Sequence, residues 1–321
     1  MHKMSKYILI TIIGIYLSLA VCAQQPGRIL SFGVGTDVKV TIDLPRVINK
    51  DRSTTIVFFA LPNGNTTAQT MGKKLVAGDD WHYDIQHIRA QTRFVRKAWK
   101  KHQVVVAYLE STQKSWPQWK TLHSNYKELV QHITDTVISL IPARHKNVYL
   151  NGHSGGGRFI FSYLDGVDNI PSDIQRISFL DSNYGYDSSY TGKLITWLQH
   201  NKTACLNVFA YNDSVALYNG KPLVSATGGT WYRSHRMLED LSSTFALKEV
   251  RNDSLIVYKS SDERIQFFLK INPDRKIFHT QQVELNGFIH SLFCGTRYDS
   301  RHYQYYTKRA YSKYIVQAPD L

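Results

Sequence analysis

The sequence predicts an α/β fold: a mostly parallel central sheet flanked by helices, with an insertion before the last strand. Three observations predict it. Short runs rich in β-branched and aromatic residues alternate with segments whose apolar residues recur every three or four positions. No repeat, low-complexity tract or Pro/Gly/Ser-rich linker divides residues 24–321, which read as one domain. With 321 residues and 43% hydrophobic content, the chain can build one large core, and a disordered chain is excluded.

The elements follow in order. Residues 1–23 read as a cleavable export signal: Lys3 and Lys6 precede an apolar stretch over 7–21, and Val21-Cys22-Ala23 offers a cleavage site. The stretch is shorter than the roughly 20 apolar residues that span a bilayer. Leu19-Ala20-Val21-Cys22 also resembles a lipoprotein signal, in which Cys22 would carry a lipid, although Val21 departs from the usual small residue. The expected locations are therefore periplasmic, secreted or envelope-attached. Cleavage leaves Cys205 and Cys294, which could pair with each other; the preferred reading is two half-buried free cysteines.

Strands are expected at 38–44, 55–61, 104–109, 147–150, 177–180, 206–211 and 280–285. Helical spacing joins Ile85, Ile88, Thr92, Val95 and Trp99, and again Leu122, Tyr126, Leu129, Ile133, Val137 and Leu140. A further helix should start after Gly155, and a last one should carry Tyr303, Tyr306, Ala310 and Tyr314. Over 214–278 the alternation breaks down. That stretch, with one helix and a β-hairpin around Asp262, is the expected insertion and a possible cover for part of the site.

The strongest motif is Gly152-His153-Ser154-Gly155-Gly156. By composition, G-x-S-x-G arises by chance in roughly one chain of this length in ten. Its setting is more restrictive: the strand Val148-Tyr149-Leu150 ends just before it, and the apolar helix pattern Phe159, Ile160, Tyr163, Leu164 follows at once. A serine on a strained strand-to-helix turn needs small neighbours two residues away on either side, because the backbones there come close. The turn lifts the hydroxyl above the sheet, and the helix N-terminus favours developing negative charge.

On these residues the chain resembles the α/β-hydrolase superfamily over nearly its whole length after residue 23. The resemblance implies a nucleophile, acid and histidine in that chain order. Ser154 is then the nucleophile. The acid is expected after the second strand beyond it, which gives Asp213. Asp181, one strand earlier, is the alternative. The histidine is expected in the loop after the last strand, here read as 280–285, which gives His290. By that reading His279 falls before the strand and His302 after the loop.

The resemblance also implies an oxyanion hole made by the Gly155 N–H and a donor from the loop after the third strand. That loop is Pro62-Asn63-Gly64-Asn65-Thr66. Pro62 has no N–H, so Asn63 or Gly64 is the expected donor. The loop departs from the His-Gly-Gly-Gly pattern of the lipase-like branch, which argues against a lipase.

Other signals are weaker. His82 and His87 stand five residues apart and share no helix face, so no metal is expected, nor any other cofactor. Gly33-Val34-Gly35 lacks the third glycine of a dinucleotide fingerprint. Trp116, Trp119 and Trp231 are candidate substrate-binding aromatics. The formal charge of +14 falls to +12 once residues 1–23, with Lys3 and Lys6, are removed. With no nucleic-acid motif beside it, that excess favours an anionic envelope surface or acidic polysaccharide over DNA as its surroundings. The resulting expectation is an exported serine esterase, acting on a small or glycan-linked acyl or feruloyl ester. A peptidase, amidase or acyltransferase with the same triad and a non-catalytic binder on the same fold are the alternatives.

Overall fold

The computed structural model describes residues 27–35 and 37–318. The expected export signal and Cys22 lie outside them. The strands are β1 (Arg28–Gly33), β2 (Val38–Leu44), β3 (Thr54–Ala60), β4 (Gln103–Ser111), β5 (Lys146–His153), β6 (Ile174–Leu180), β7 (Cys205–Tyr211), a two-strand hairpin of β8 (Leu217–Tyr218) and β9 (Lys221–Pro222), then β10 (Leu247–Arg251), β11 (Leu255–Ser260) and β12 (Ile265–Lys270). The helices are α1 (Thr67–Met71), α2 (Ile88–Ala98), α3 (Trp116–Leu122), α4 (Tyr126–Leu140), α5 (Gly157–Asp165), α6 (Thr191–His200), α7 (Thr230–Ser242), α8 (Gln281–Glu284) and α9 (Gly287–Phe293).

All strands except the β8–β9 hairpin form one sheet in the order β1-β2-β4-β3-β5-β6-β7-β12-β11-β10. The middle of the sheet, from β4 through β12, is parallel. Antiparallel pairs extend it at both ends. Parallel strands need helical crossovers, so both faces of the central strands are covered, and β3 and β7 are buried at every position. Side chains then alternate between two cores. Ile56, Phe58 and Ala60 pack with α3 to α7, while Val57 and Phe59 pack with α2, α8 and α9. Each such buried Val, Ile or Phe side chain contributes about 1.5–3 kcal/mol of apolar burial.

Three expectations change. Residues 280–285 are not a strand; most of them form α8, which packs Val283 into the second core. The last strand is β12, whose Ile-Gln-Phe-Phe-Leu run pairs in parallel with β7. The expected hairpin around Asp262 is the β11–β12 pair, so most of the second half of 214–278 extends the main sheet instead of covering the site. The expected C-terminal helix is instead a series of turns ending in one short turn of helix at Ser312–Tyr314. Tyr303, Tyr305 and Tyr311 are buried there without helical spacing, because their anchors are side-chain hydrogen bonds such as Tyr305 to Gln282. No apolar run in the sequence marks the first strand, β1, because it is mostly exposed.

Candidate active site

The sharp turn at the end of β5 is built as its glycines require. Ser154 has φ +54, in the left-handed region that costs a non-glycine residue about 1 kcal/mol or more. A tight helical turn over Ser154–Gly156 feeds directly into α5. A Cβ on Gly152 would sit 2.9 Å from the Gly156 carbonyl carbon, so the two glycines let the arms of the turn close on each other. A Cβ on Gly155 would overlap the Asn63 carboxamide, which places the Asn63 side chain directly over the residue after Ser154.

The loop that carries Asn63 is held from both sides. Thr66 caps α1, its hydroxyl accepting from Gln69 N–H at 3.2 Å while its own N–H donates to Gln69 Oε1 at 2.8 Å. Thr67 donates from N–H and Oγ to Glu110 Oε2 at 2.7 and 2.6 Å. Gly64, one of the two expected oxyanion donors, spends its N–H on the Lys114 carbonyl at 2.8 Å. That removes Gly64 from the role and leaves Asn63, which lines a cleft of about 230 Å³ with Ser154 and Gly155.

Beside this turn lies a carboxylate–imidazole pair. Asp181 follows β6 directly, with φ +47 and its N–H donating to the Phe209 carbonyl at 2.7 Å. Its fully buried carboxylate lies 2.5 Å from His279 Nδ1 through Oδ2, and its Oδ1 accepts from the Thr230 hydroxyl. The His279 ring stacks on His153 with centroids 4.6 Å apart and planes 28° from parallel. Since His153 immediately precedes Ser154, this stack sets His279 beside the turn. His153 Nε2 lies 3.3 Å from the His279 carbonyl, which requires that nitrogen to be the protonated one. Burial, and then the neighbouring His279, holds His153 well below the usual imidazole range, so it stacks as a neutral ring.

Asp213, the expected acid, serves another element. Its carboxylate accepts N–H bonds from Thr230 at 2.7 Å and Trp231 at 3.2 Å, closing the N-terminus of α7. The Thr230 hydroxyl lies 3.2 Å from it as well and so bridges Asp213 and Asp181. Burial, and then the charge of Asp181, pushes the Asp213 carboxyl up to about 6 against the lowering effect of its N–H donors. Among the described residues no histidine is a hydrogen-bond or ion-pair partner of Asp213.

His290 does not join Ser154 and Asp213. It lies on α9 in the core, stacked on Tyr305 and 4.5 Å from the Phe268 ring, with Nδ1 bonded to Tyr303 Oη at 2.9 Å. Among the described residues its Nε2 is buried with no hydrogen-bond partner. Burial pulls it down to about 4, despite Asp299 nearby, so it is a neutral core histidine. The misplacement follows from the strand at 280–285 that did not form. With β12 as the last strand, the loop after it contains His279, which the positional rule would then have selected.

The aromatic candidates are also placed. Trp116 and Trp119 are 2% and 1% exposed and pack edge-on to each other, with Trp116 also against Phe159. They brace α5 from behind, and only Pro117 between them reaches the cleft. Trp231 lies half-buried in a separate, larger groove of about 540 Å³ that contains neither Ser154 nor His279. Sequence reasoning missed His153, Thr230, Tyr184 and Arg158. The last two share the cleft with Ser154, and no sequence motif marks either of them.

The fold has solved counterparts. No family model and no curated protein matches the chain. Among solved structures, a serine-to-alanine mutant of the feruloyl esterase module from Clostridium thermocellum, complexed with sinapinate, superposes with a TM-score of 0.51. It is 11% identical, and the match covers 84% of this chain and 90% of that one. A thermostable esterase matches at a TM-score of 0.50 and 13% identity, over 83% of this chain and 61% of the other. At such identities the likeness is one of fold.

Proposed function

We propose that this chain, an α/β-hydrolase by fold, is a serine hydrolase that cleaves a carboxylic ester, with Ser154 as nucleophile, His279 as base and Asp181 as acid. The observation that carries the reading is the Asp181–His279 pair at 2.5 Å, stacked on the residue that precedes a left-handed Ser154. Asp181 holds the proton of His279 on Nδ1, which leaves Nε2 as the basic nitrogen. Ser154 Oγ attacks the acyl carbon as Nε2 takes its proton. The oxyanion collects at the Gly155 N–H and at Asn63, which line one cleft with Ser154. Collapse expels the alcohol, which recovers the proton from His279, and water then releases the acid from Ser154 by the same steps.

We further propose export. Residues 1–23 would direct the chain to the periplasm or the medium, with a lipid on Cys22 as the route to envelope attachment. That compartment, with the fold analogy, favours an acyl or feruloyl ester on a glycan.

Labelling with a fluorophosphonate tests the nucleophile. Wild type should label and Ser154→Ala should not; equal labelling of the two would remove Ser154 from the role. A panel of acyl esters, acylated oligosaccharides and peptides then separates ester from amide hydrolysis.

A further inference from the structure

Arg158 stands one helical turn after Ser154, at the second residue of α5, and lines the same cleft. Its side chain is half-buried, yet among the described residues no carboxylate lies within 4.0 Å of it and no hydrogen bond holds its guanidinium. The two acids that, like Arg158, act on the Tyr190 hydroxyl are engaged elsewhere. Asp165 accepts from Lys120 at 2.8 Å, Tyr126 at 2.9 Å and Tyr190 at 2.7 Å. Asp187 is exposed and turned onto the Ser189 N–H at 2.9 Å. The guanidinium rests against Gly185, another residue of the cleft wall, where a Cβ would come within 2.9 Å of Nη1.

An arginine kept partly out of water without a counter-charge is costly, and this chain has 25 acidic residues from which a partner could have been drawn. It lines the cleft that holds the nucleophile. The geometry points to a substrate subsite: Arg158 receives a carboxylate carried by the ester, within a few ångströms of the scissile carbonyl. This rests on Ser154 being the nucleophile and names the substrate class for that site. A planar guanidinium matches a carboxylate with two parallel hydrogen bonds, which a neutral ester cannot make. The carboxylate can belong to the acyl group, as in a hemiester of a short dicarboxylic acid, or to the alcohol, as in an acylated uronate.

The test compares kcat/KM for 4-nitrophenyl succinate against 4-nitrophenyl butyrate, and for the butyrate ester of 3-hydroxybenzoate against that of 3-hydroxybenzamide. Wild type should prefer one anionic member of a pair by roughly 10- to 100-fold. The pair that shows the preference tells whether the acid or the alcohol carries the charge. In Arg158→Gln the ratio should collapse toward one, and Arg158→Lys should restore part of it. A parallel arm titrates monomethyl succinate and dimethyl succinate into Ser154→Ala protein by calorimetry, with and without Arg158→Gln. Ester turnover without charge preference in either pair, or a preference that survives Arg158→Gln, overturns the subsite and leaves the hydrolase reading standing. Arg158-dependent binding of the monoester without any turnover keeps the subsite and removes the hydrolase reading. If neither turnover nor Arg158-dependent binding is found, both fall.

Discussion

Asp181 and His279 are 98 residues apart in the chain and meet at 2.5 Å, one at the end of β6 and the other in the loop beyond β12. Only the pairing of β12 with β7, itself beside β6, brings them to the same end of the sheet. The proposed acid therefore lies one strand earlier than the position Asp213 occupies. We expect Asp181→Asn to lower kcat by about 10³- to 10⁴-fold, because an amide no longer fixes the tautomer or balances the imidazolium. Asp213→Asn, which keeps an oxygen for the α7 N–H groups, should cost less than about tenfold, since it is linked to His279 through the Thr230 bridge. Steady-state ester hydrolysis by the two variants decides the matter. A larger loss for Asp213→Asn would reverse the assignment.

The two histidines give a second comparison. His279→Gln should abolish fluorophosphonate labelling of Ser154 under conditions that label wild type within minutes. His290→Gln should keep labelling within a few-fold, since Phe268, Tyr303 and Tyr305 enclose that ring in the core. Its effect should appear in stability instead. His290 is held down at about 4, below its value in the unfolded chain, so wild type loses stability as pH falls from about 6.5 to 4, where the unfolded chain takes up the proton first. His290→Gln should flatten that acid limb in thermal melts; an unchanged acid limb would mean His290 is not the buried neutral group described.

What the sequence revealed and what it withheld divide along physical lines. Ser154 was legible because its requirements are local: glycines two residues away on each side, a strand before and a helix after. Asp181 was visible as the lesser option because a carboxylate directly after a strand is also a local feature. His279 was not, because its place depends on which apolar run joins the parallel sheet. Val283-Glu284-Leu285 and Ile265-Gln266-Phe267-Phe268-Leu269 both read as strand in isolation, and only the second pairs with β7. Trp116 and Trp119 looked like a binding platform because composition cannot say which face of a helix is covered. Arg158 carried no signal, as an unpaired charge is a property of three-dimensional neighbours.

For the tryptophans, burial fixes the expected effect. Trp119→Ala should destabilise the protein by about 3–5 kcal/mol, the usual loss for emptying a large aromatic site in a core. Trp116→Ala should do the same and in addition loosen α5, because Trp116 packs on Phe159. KM for a short ester should move little at a temperature where the variants stay folded. Denaturant melts together with KM values check this; a raised KM with unchanged stability would return these residues to the binding surface.

The oxyanion loop yields a steric prediction. The Asn63 carboxamide occupies the space that a Gly155 Cβ would take. Gly155→Ala should therefore displace Asn63 and disturb both expected donors at once, lowering kcat by about 10²- to 10³-fold with KM changed far less. Gly64→Ala is the control: its Cβ meets nothing, but φ +80 makes it cost about 1 kcal/mol of stability with little effect on rate. Equal rate losses in the two variants would show that loop distortion, not the contact with Asn63, controls the site.

Asp213 and Asp181 lie on either side of the Thr230 hydroxyl, which has a single proton to give and gives it to Asp181. Burial first, and then the charge of Asp181, raises the Asp213 carboxyl to about 6 against its Thr230 and Trp231 donors. The folded value lies above that of the unfolded chain, so between about pH 4 and 6 the folded state binds more protons. Stability from this group is fully present below pH 4 and is lost as pH rises through 6, by up to about 3 kcal/mol. This is opposite in sign to the His290 effect, so the two must be separated by variants. Asp213→Asn removes the charge and can donate from its amide to Thr230 Oγ while Thr230 donates to Asp181. Its melting temperature relative to wild type should therefore climb between pH 4 and 7. A difference that stays constant across that range would show that Asp213 is ionised throughout and that the shared hydroxyl places no strain on the pair.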